Sequence, residues 1–247
     1  MKPPLGIIAG TGFYSLSPLE NSEVKVIETK YGSAQVTQGT WNGRVTYFLS
    51  RHGTKHSVPP HKINYRANIQ ALFDLGVKEI LAVNVCGGLD EKIPVGGFQV
   101  VDDFIDFTKN RILTFYDGEE GVNHVDMNEP YSQDLRKVLL QAGENLNIQI
   151  SDGGIYGGFE GPRFETKAEI QMAKQFGVTM VGMTGVPEVV LAVEKGLKYA
   201  AICIVANPGA GLSTEIITME DVQKVVSDSA KTVVKILDEA TKILADI

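Results

Sequence analysis

The sequence predicts an α/β fold: one domain over residues 1–247, in three layers, with a mixed, largely parallel central β-sheet flanked by helices. Three observations lead there. Short apolar runs such as LGIIAG, EILAVNVCGG and YAAICIVAN have the length and continuity of strands buried on both faces. Segments with helical periodicity alternate with them along the chain. No repeat, low-complexity stretch or charge block divides the 247 residues, a length that suits one large domain.

In order, LGIIAG (5–10) reads as a buried strand ending in glycine. Residues 35–50 alternate around Asn42-Gly43, a hairpin signal. Residues 64–76 read as a helix stopped by Gly76, and 79–88 as a buried strand that breaks at paired glycines. FQVVDDFIDF (98–107) is expected to be one strand, and 108–130 a loop. Residues 131–146 put Tyr131, Leu135, Val138, Leu139 and Ala142 on one helical face. Strand material follows in IQISDGGIYGG. Next come a helix over 165–176 with Glu165 at its entrance, a strand over 178–183 and a helix from near Pro187. YAAICIVAN (199–207) is the last strand, and Thr218 caps a long closing helix.

The formal charge of −7 argues against a nucleic-acid surface but allows a local basic cluster for a small anion. Cys86 and Cys203 lie in apolar runs and read as reduced core thiols, not a disulfide framework. The N-terminal apolar run is too short for a signal peptide, and no run is long enough to span a membrane, so a cytoplasmic location is expected.

In folds of this class ligands gather at the carboxyl ends of strands. Those ends carry Gly10-Thr11-Gly12, Arg51-His52, Asn84 to Gly88, Met183-Thr184 and Asn207-Pro208. Gly10-Thr11-Gly12 suits a phosphate approached by backbone and hydroxyl, or a plain tight turn. As a dinucleotide fingerprint it is incomplete, with Ser15 in the third glycine position. Arg51 offers a planar fork of donors for phosphate oxygens and His52 a further donor, unless both are ordinary loop residues. Three of the four histidines, His52, His56 and His61, fall together, but their spacing fits no common zinc pattern and no metal is expected. Thr184 and Asn207, taken singly, are also plausible strand terminators.

Together these pieces are more specific. The order AGTG, RHG, PPHKINYRANIQAL, NVCGGL, EGPRFETKAE, MVGMTGVPEVVLA and VANPGAG resembles the trimeric purine nucleoside phosphorylase and methylthioadenosine phosphorylase family from residue 6 to about 240, and within it the S-methyl-5'-thioinosine phosphorylase branch. The resemblance implies the phosphorylase fold and phosphorolysis of an N-glycosidic bond, with inorganic phosphate as co-substrate and no cofactor. It implies phosphate contacts from Thr11, Arg51, His52 and Thr184, with Asn84 standing where methylthioadenosine phosphorylases have threonine. His52 and Asn207 would be the catalytic residues.

For the nucleoside, the resemblance implies contacts from Phe164, Glu165, Met183, Asn207, Pro208 and Gly209. Asn207 replaces the aspartate of adenosine-type members. Glu165 is the glutamate with which 6-oxopurine members accept from N1–H, a proton adenine lacks. Met219 falls where ordinary purine nucleoside phosphorylases hold the 5'-hydroxyl with histidine, and its thioether suits a methylthio group instead. His124 matches a histidine that reaches a neighbouring subunit's pocket, so a homotrimer is expected. The implied reaction is cleavage of S-methyl-5'-thioinosine to hypoxanthine and 5-methylthioribose 1-phosphate, in purine salvage. The alternatives are a general inosine/guanosine phosphorylase, a methylthioadenosine phosphorylase, an oxidoreductase (disfavoured by the broken glycine pattern) and a non-catalytic purine binder.

Overall fold

The computed structural model describes residues 2–13, 18–53, 57–118, 121–214 and 216–246; His56 lies outside them. β1 (Leu5–Ala9) runs parallel to and between β4 (Arg44–Ser50) and β5 (Glu79–Gly88). β4 is the return arm of a hairpin with β3 (Gly32–Trp41). At the turn Asn42 and Gly43 both take positive φ, 47° and 74°, the conformation that matches strand twist.

On the other edge of β5 lies β11 (Lys198–Pro208), followed by β6 (Phe98–Val100) and β8 (Ile150–Asp152). β10 (Val178–Gly182), β9 (Ile155–Gly158) and β7 (Asp103–Asp106) join through an antiparallel contact of β10 with the end of β5. Six of the ten strand pairings are parallel, so the sheet is mixed and largely parallel, as expected.

Successive residues of the central strands serve opposite faces. Leu5, Ile7, Leu81 and Val83 pack toward α2 (Gln133–Leu146) and α5 (Met219–Asp246). Ile8, Ile80, Ala82 and Cys203 pack toward α1 (Tyr65–Asp74) and α4 (Gly185–Glu194). Hence the apolar strands are continuous, not alternating, and the fold has three layers. α3 (Lys167–Gln175) covers the β9–β10 end with Ile170 and Ala173. Among the described residues no helix is long and apolar enough to cross a membrane.

One strand goes beyond the expectations, and two expectations need correction. The hydrophobic pattern does not announce β2 (Glu20–Thr29), an antiparallel edge strand on β3. Its side chains are mostly exposed, so ENSEVKVIET has no buried face to signal. The strand expected over 98–107 is two strands, β6 and β7. At Asp102 the chain changes partners: its amide donates to Gly154 O at 3.1 Å, and its Oδ1 accepts from Gly154 N at 2.9 Å. Gly153 and Gly154, both at positive φ, break the parallel neighbours β8 and β9 at the same level. The helix expected from Glu165 starts at Lys167. Thr166 is its N-cap, and Glu169, not Glu165, completes the capping box.

Candidate active site

The site forms on one edge of β5. β1 pairs with this strand from Glu79 to Ala82, and β10 joins it only at Gly87 and Gly88. Across residues 83–86 that edge has no partner strand among the described residues. A cavity of about 480 Å³ opens there, with Val83, Val85, Cys86 and Gly87 in its wall, a volume suited to a small-molecule ligand.

The neighbouring strands deliver their carboxyl ends to the same opening. After β1, Gly10, Thr11 and Gly12 form a turn in which Phe13 N donates to Gly10 O at 3.0 Å. Gly12 takes φ +83°, and a Cβ there would meet Val226 of α5 at 2.3 Å. A Cβ on Gly10 would lie 3.3 Å from His52 Nε2 and 3.6 Å from Arg51 Nη1. The bare backbone thus lets the loop, the histidine and the guanidinium converge.

Arg51 and His52 are buried. His52 Nδ1 lies 2.8 Å from Val58 O; a carbonyl only accepts, so Nδ1 carries the proton there. Arg51 Nη1 donates to Val83 O at 2.7 Å, inside the unpaired stretch of β5. Its Nε and Nη2 donate to the two oxygens of Glu188 at 2.6 and 2.7 Å. Burial alone would lower the Arg51 pKa, but the charge and hydrogen bonds of Glu188 outweigh it and raise it above its ordinary value.

β10 runs back against the end of β5, and continuing its register carries Met183 and Thr184 toward Val85 and Asn84. Thr184 is the N-cap of α4 but makes no side-chain cap bond. Its amide and that of Gly185 donate to the Tyr156 hydroxyl at 3.2 and 3.1 Å. A bulge in β11 between Val205 and Asn207 turns Asn207 into the cavity, where one of its amide hydrogens goes to Pro208 O at 2.8 Å. Phe164 and Glu165 enter from the segment before α3, freed from that helix by the Thr166–Glu169 box. Burial raises the Glu165 pKa above the usual glutamate value.

The cavity therefore brings together Thr11, Arg51, His52, Phe164, Glu165, Met183, Thr184, Asn207 and Met219. Four other expected residues do not line it. Asn84 is buried beside it with both amide atoms unpartnered. Pro208 ends β11 in register with Gly88, and Gly209 donates its N–H to Gly88 O. A Cβ on Gly209 would press on Leu89 at 2.9 Å, so this glycine serves close packing of the wall. His124 is exposed and outside its own chain's cavity. Ile216 and Ile217, apolar neighbours of Met219 in sequence, line a separate adjoining cavity with Phe164.

Sequence reasoning missed Gln223 and Glu188. Gln223 lines the cavity one helical turn after Met219, a spacing that could have found it. Glu188 had no sequence signal beyond its place at the start of α4. Among the described residues no group of three or more His, Cys, Asp or Glu side chains is arranged to hold a metal.

Residues 4–242 match the phosphorylase superfamily. The chain belongs to that family. It is a pentosyltransferase, a purine nucleoside phosphorylase that uses phosphate as co-substrate. The phosphorylase is 44% identical over 237 residues to a probable 6-oxopurine nucleoside phosphorylase of Moorella thermoacetica, covering 96% of this chain and 91% of that one. It is equally 44% identical over 235 residues to a probable S-methyl-5'-thioinosine phosphorylase of Methanocaldococcus jannaschii, covering 95% and 90%. Its structure resembles methylthioadenosine phosphorylase from Schistosoma mansoni in complex with adenine, with a TM-score of 0.95 and 34% identity over 100% of this chain and 93% of the other.

Proposed function

We propose that the phosphorylase cleaves S-methyl-5'-thioinosine to hypoxanthine and 5-methylthioribose 1-phosphate. The observation that carries this reading is the meeting of Glu165 and Asn207 in one cavity. A carboxylate accepts from the N1–H of a 6-oxopurine, and a neutral amide can donate to O6 and accept near N7. Phosphate oxygen bonds to C1' as the C1'–N9 bond breaks, and the purine leaves with the bonding pair. Thr11, the N–H groups of Arg51 that the protein leaves over and the Thr184 hydroxyl would donate to the anion, and His52 Nε2, with its ring proton on Nδ1, would accept from the P–OH of hydrogen phosphate. Val83 turns its carbonyl to the open edge of β5, so two residues on, the Val85 N–H faces the same way and joins them. The unpartnered amide of Asn84 would reach phosphate or ribose from behind. Met183 and Phe164 would pack on ribose and base, with Pro208 and Gly209 fixing the loop that holds Asn207. Catalysis would rest on positioning and electrostatics, without cofactor or covalent intermediate. The free, buried Cys86 and Cys203 are in keeping with a reducing, cytoplasmic location.

The test is a nucleoside panel with and without phosphate: methylthioinosine, inosine, guanosine, methylthioadenosine and adenosine. Turnover without phosphate, or none with any purine nucleoside, would overturn the reading. Gln223 favours a second one, a general inosine/guanosine phosphorylase, because its amide can bond a 5'-hydroxyl that Met219 cannot. Under that reading inosine matches methylthioinosine in the panel, and Gln223→Leu abolishes the parity.

The partly buried Glu165 accepts from N1–H most strongly as the carboxylate. Since burial raises its pKa, kcat/KM for a 6-oxopurine nucleoside is expected to fall on the acid side at a pH above the ordinary glutamate range. Glu165→Gln keeps an acceptor oxygen and should lose that acid limb while retaining part of the activity. An unchanged limb would assign it to another group.

The protein is expected to assemble as a homotrimer in which His124 completes a neighbour's pocket. Sedimentation equilibrium should give three chains per particle, and His124→Ala should raise the nucleoside KM without changing the phosphate KM. A fully active monomer would remove that role from His124.

A further inference from the structure

Phosphate binding accounts for Arg51 but not for the carboxylate that grips it. Glu188 lies in the first turn of α4, fully buried and outside the cavity lining. Both of its oxygens take the side-on face of the guanidinium, and Oε1 also accepts from the Tyr199 hydroxyl at 2.8 Å. With Nη1 on Val83 O, the protein holds three of the five guanidinium N–H groups. Among the described residues, the one N–H left on each terminal nitrogen has no protein partner, and these two can serve a ligand.

We infer that Glu188 is the positioning residue of the anion site: it fixes the plane of the Arg51 guanidinium so that two N–H groups face the anion. The inference rests on the phosphate reading given above. A guanidinium held on one side only could swing about its long stem and meet the anion in several ways. Held by the carboxylate on one edge and the strand carbonyl on another, it presents one geometry. The Tyr199 hydroxyl completes the arrangement by fixing the oxygen that faces Nη2.

Glu188→Gln keeps the shape but turns one amide NH2 against a guanidinium donor. Losing one charge-assisted bond and displacing the fork should raise the phosphate KM about 10-fold. The nucleoside KM, and kcat at saturating phosphate, should stay within about 3-fold. Tyr199→Phe leaves every charge in place and frees only Oε1, so it tests the same idea without disturbing the ion pair. It should raise the phosphate KM by about 2- to 5-fold, because the lost bond acts on the anion only at one remove, through the carboxylate. A purely structural role predicts a different pattern, in which both Michaelis constants and kcat change together with the melting temperature.

Proportionate changes of that kind would overturn the inference. So would an unchanged phosphate KM in both variants, or a lower one in Glu188→Gln, the latter meaning that the carboxylate competes with the anion and does not aim its donor. If Glu188→Gln does not fold, Tyr199→Phe decides alone. Wild-type protein without phosphate-dependent turnover would instead sink the functional reading itself. Phosphorolytic wild type with insensitive variants would sink only the role of Glu188.

Discussion

Arg51→Ala is expected to raise the phosphate KM by about 100-fold or more, the effect of losing two charge-assisted hydrogen bonds at ~1.5–3 kcal/mol each. The structure adds a second consequence that the sequence could not supply. Removing the guanidinium strands Glu188 in the core with, among the described residues, the Tyr199 hydroxyl as its remaining partner. Breaking a buried pair in this way costs about 3–5 kcal/mol. For a chain of this size that lowers Tm by roughly 6–20 °C. The two effects separate in the double variant Arg51→Met/Glu188→Gln, which removes both charges. Its Tm should recover much of the loss while its phosphate KM stays high, because folding needs only that the charges match whereas binding needs the donors. Steady-state kinetics in phosphate and a thermal melt check both halves. An Arg51→Ala enzyme with an ordinary phosphate KM would make Arg51 a purely structural cation.

The second large effect concerns the base. Wild-type protein should prefer methylthioinosine to methylthioadenosine by about 100-fold or more in kcat/KM, since a site built to bond a substrate group discriminates strongly against an analogue that leaves it unpaired. Asn207→Asp should narrow that gap from both sides. The new carboxylate accepts from the exocyclic amine of adenine, but meets O6 of hypoxanthine acceptor to acceptor. Glu165 still disfavours adenine at N1, so the switch should be complete only in Asn207→Asp/Glu165→Ser. The bulge that aims residue 207 is a backbone feature, and Pro208 fixes the chain after it, so neither change should displace the side chain. The measurement is kcat/KM for both nucleosides in the three proteins. A wild type that favours methylthioadenosine ends the base-recognition account at its first step.

The central strands and the strand-end residues were legible because both follow from simple rules: continuous apolar runs are buried on both faces, and polar residues at their carboxyl ends meet at one rim. Thr11, Arg51, His52, Thr184 and Asn207 could be named on that basis with the help of family motifs. β2 was hidden because an exposed edge strand needs no apolar face. The break at Asp102 was hidden because it depends on Gly153 and Gly154, about fifty residues away in sequence. The capping of α3 was misassigned by two residues, which mattered: Glu165 is available to a substrate only because Glu169 takes the helix-entry role. The partner of Arg51 was invisible for a similar reason. Glu188 is 137 positions away, and nothing in its own neighbourhood distinguishes it from an ordinary first-turn acid.

The interruption along β5 means that folding and recognition draw on a common resource. Backbone groups that a complete sheet would consume in strand-to-strand bonds stay available for a guest molecule, so the architecture gives up some cohesion to gain a docking berth. The opening itself is set by the course of the main chain, while the donors for the anion are mostly side chains at its rim. Side chains around it can drift and change the preferred nucleoside while the anion seat persists. Descendants of this scaffold are therefore freer to change what they cleave than to give up the anion with which they cleave it.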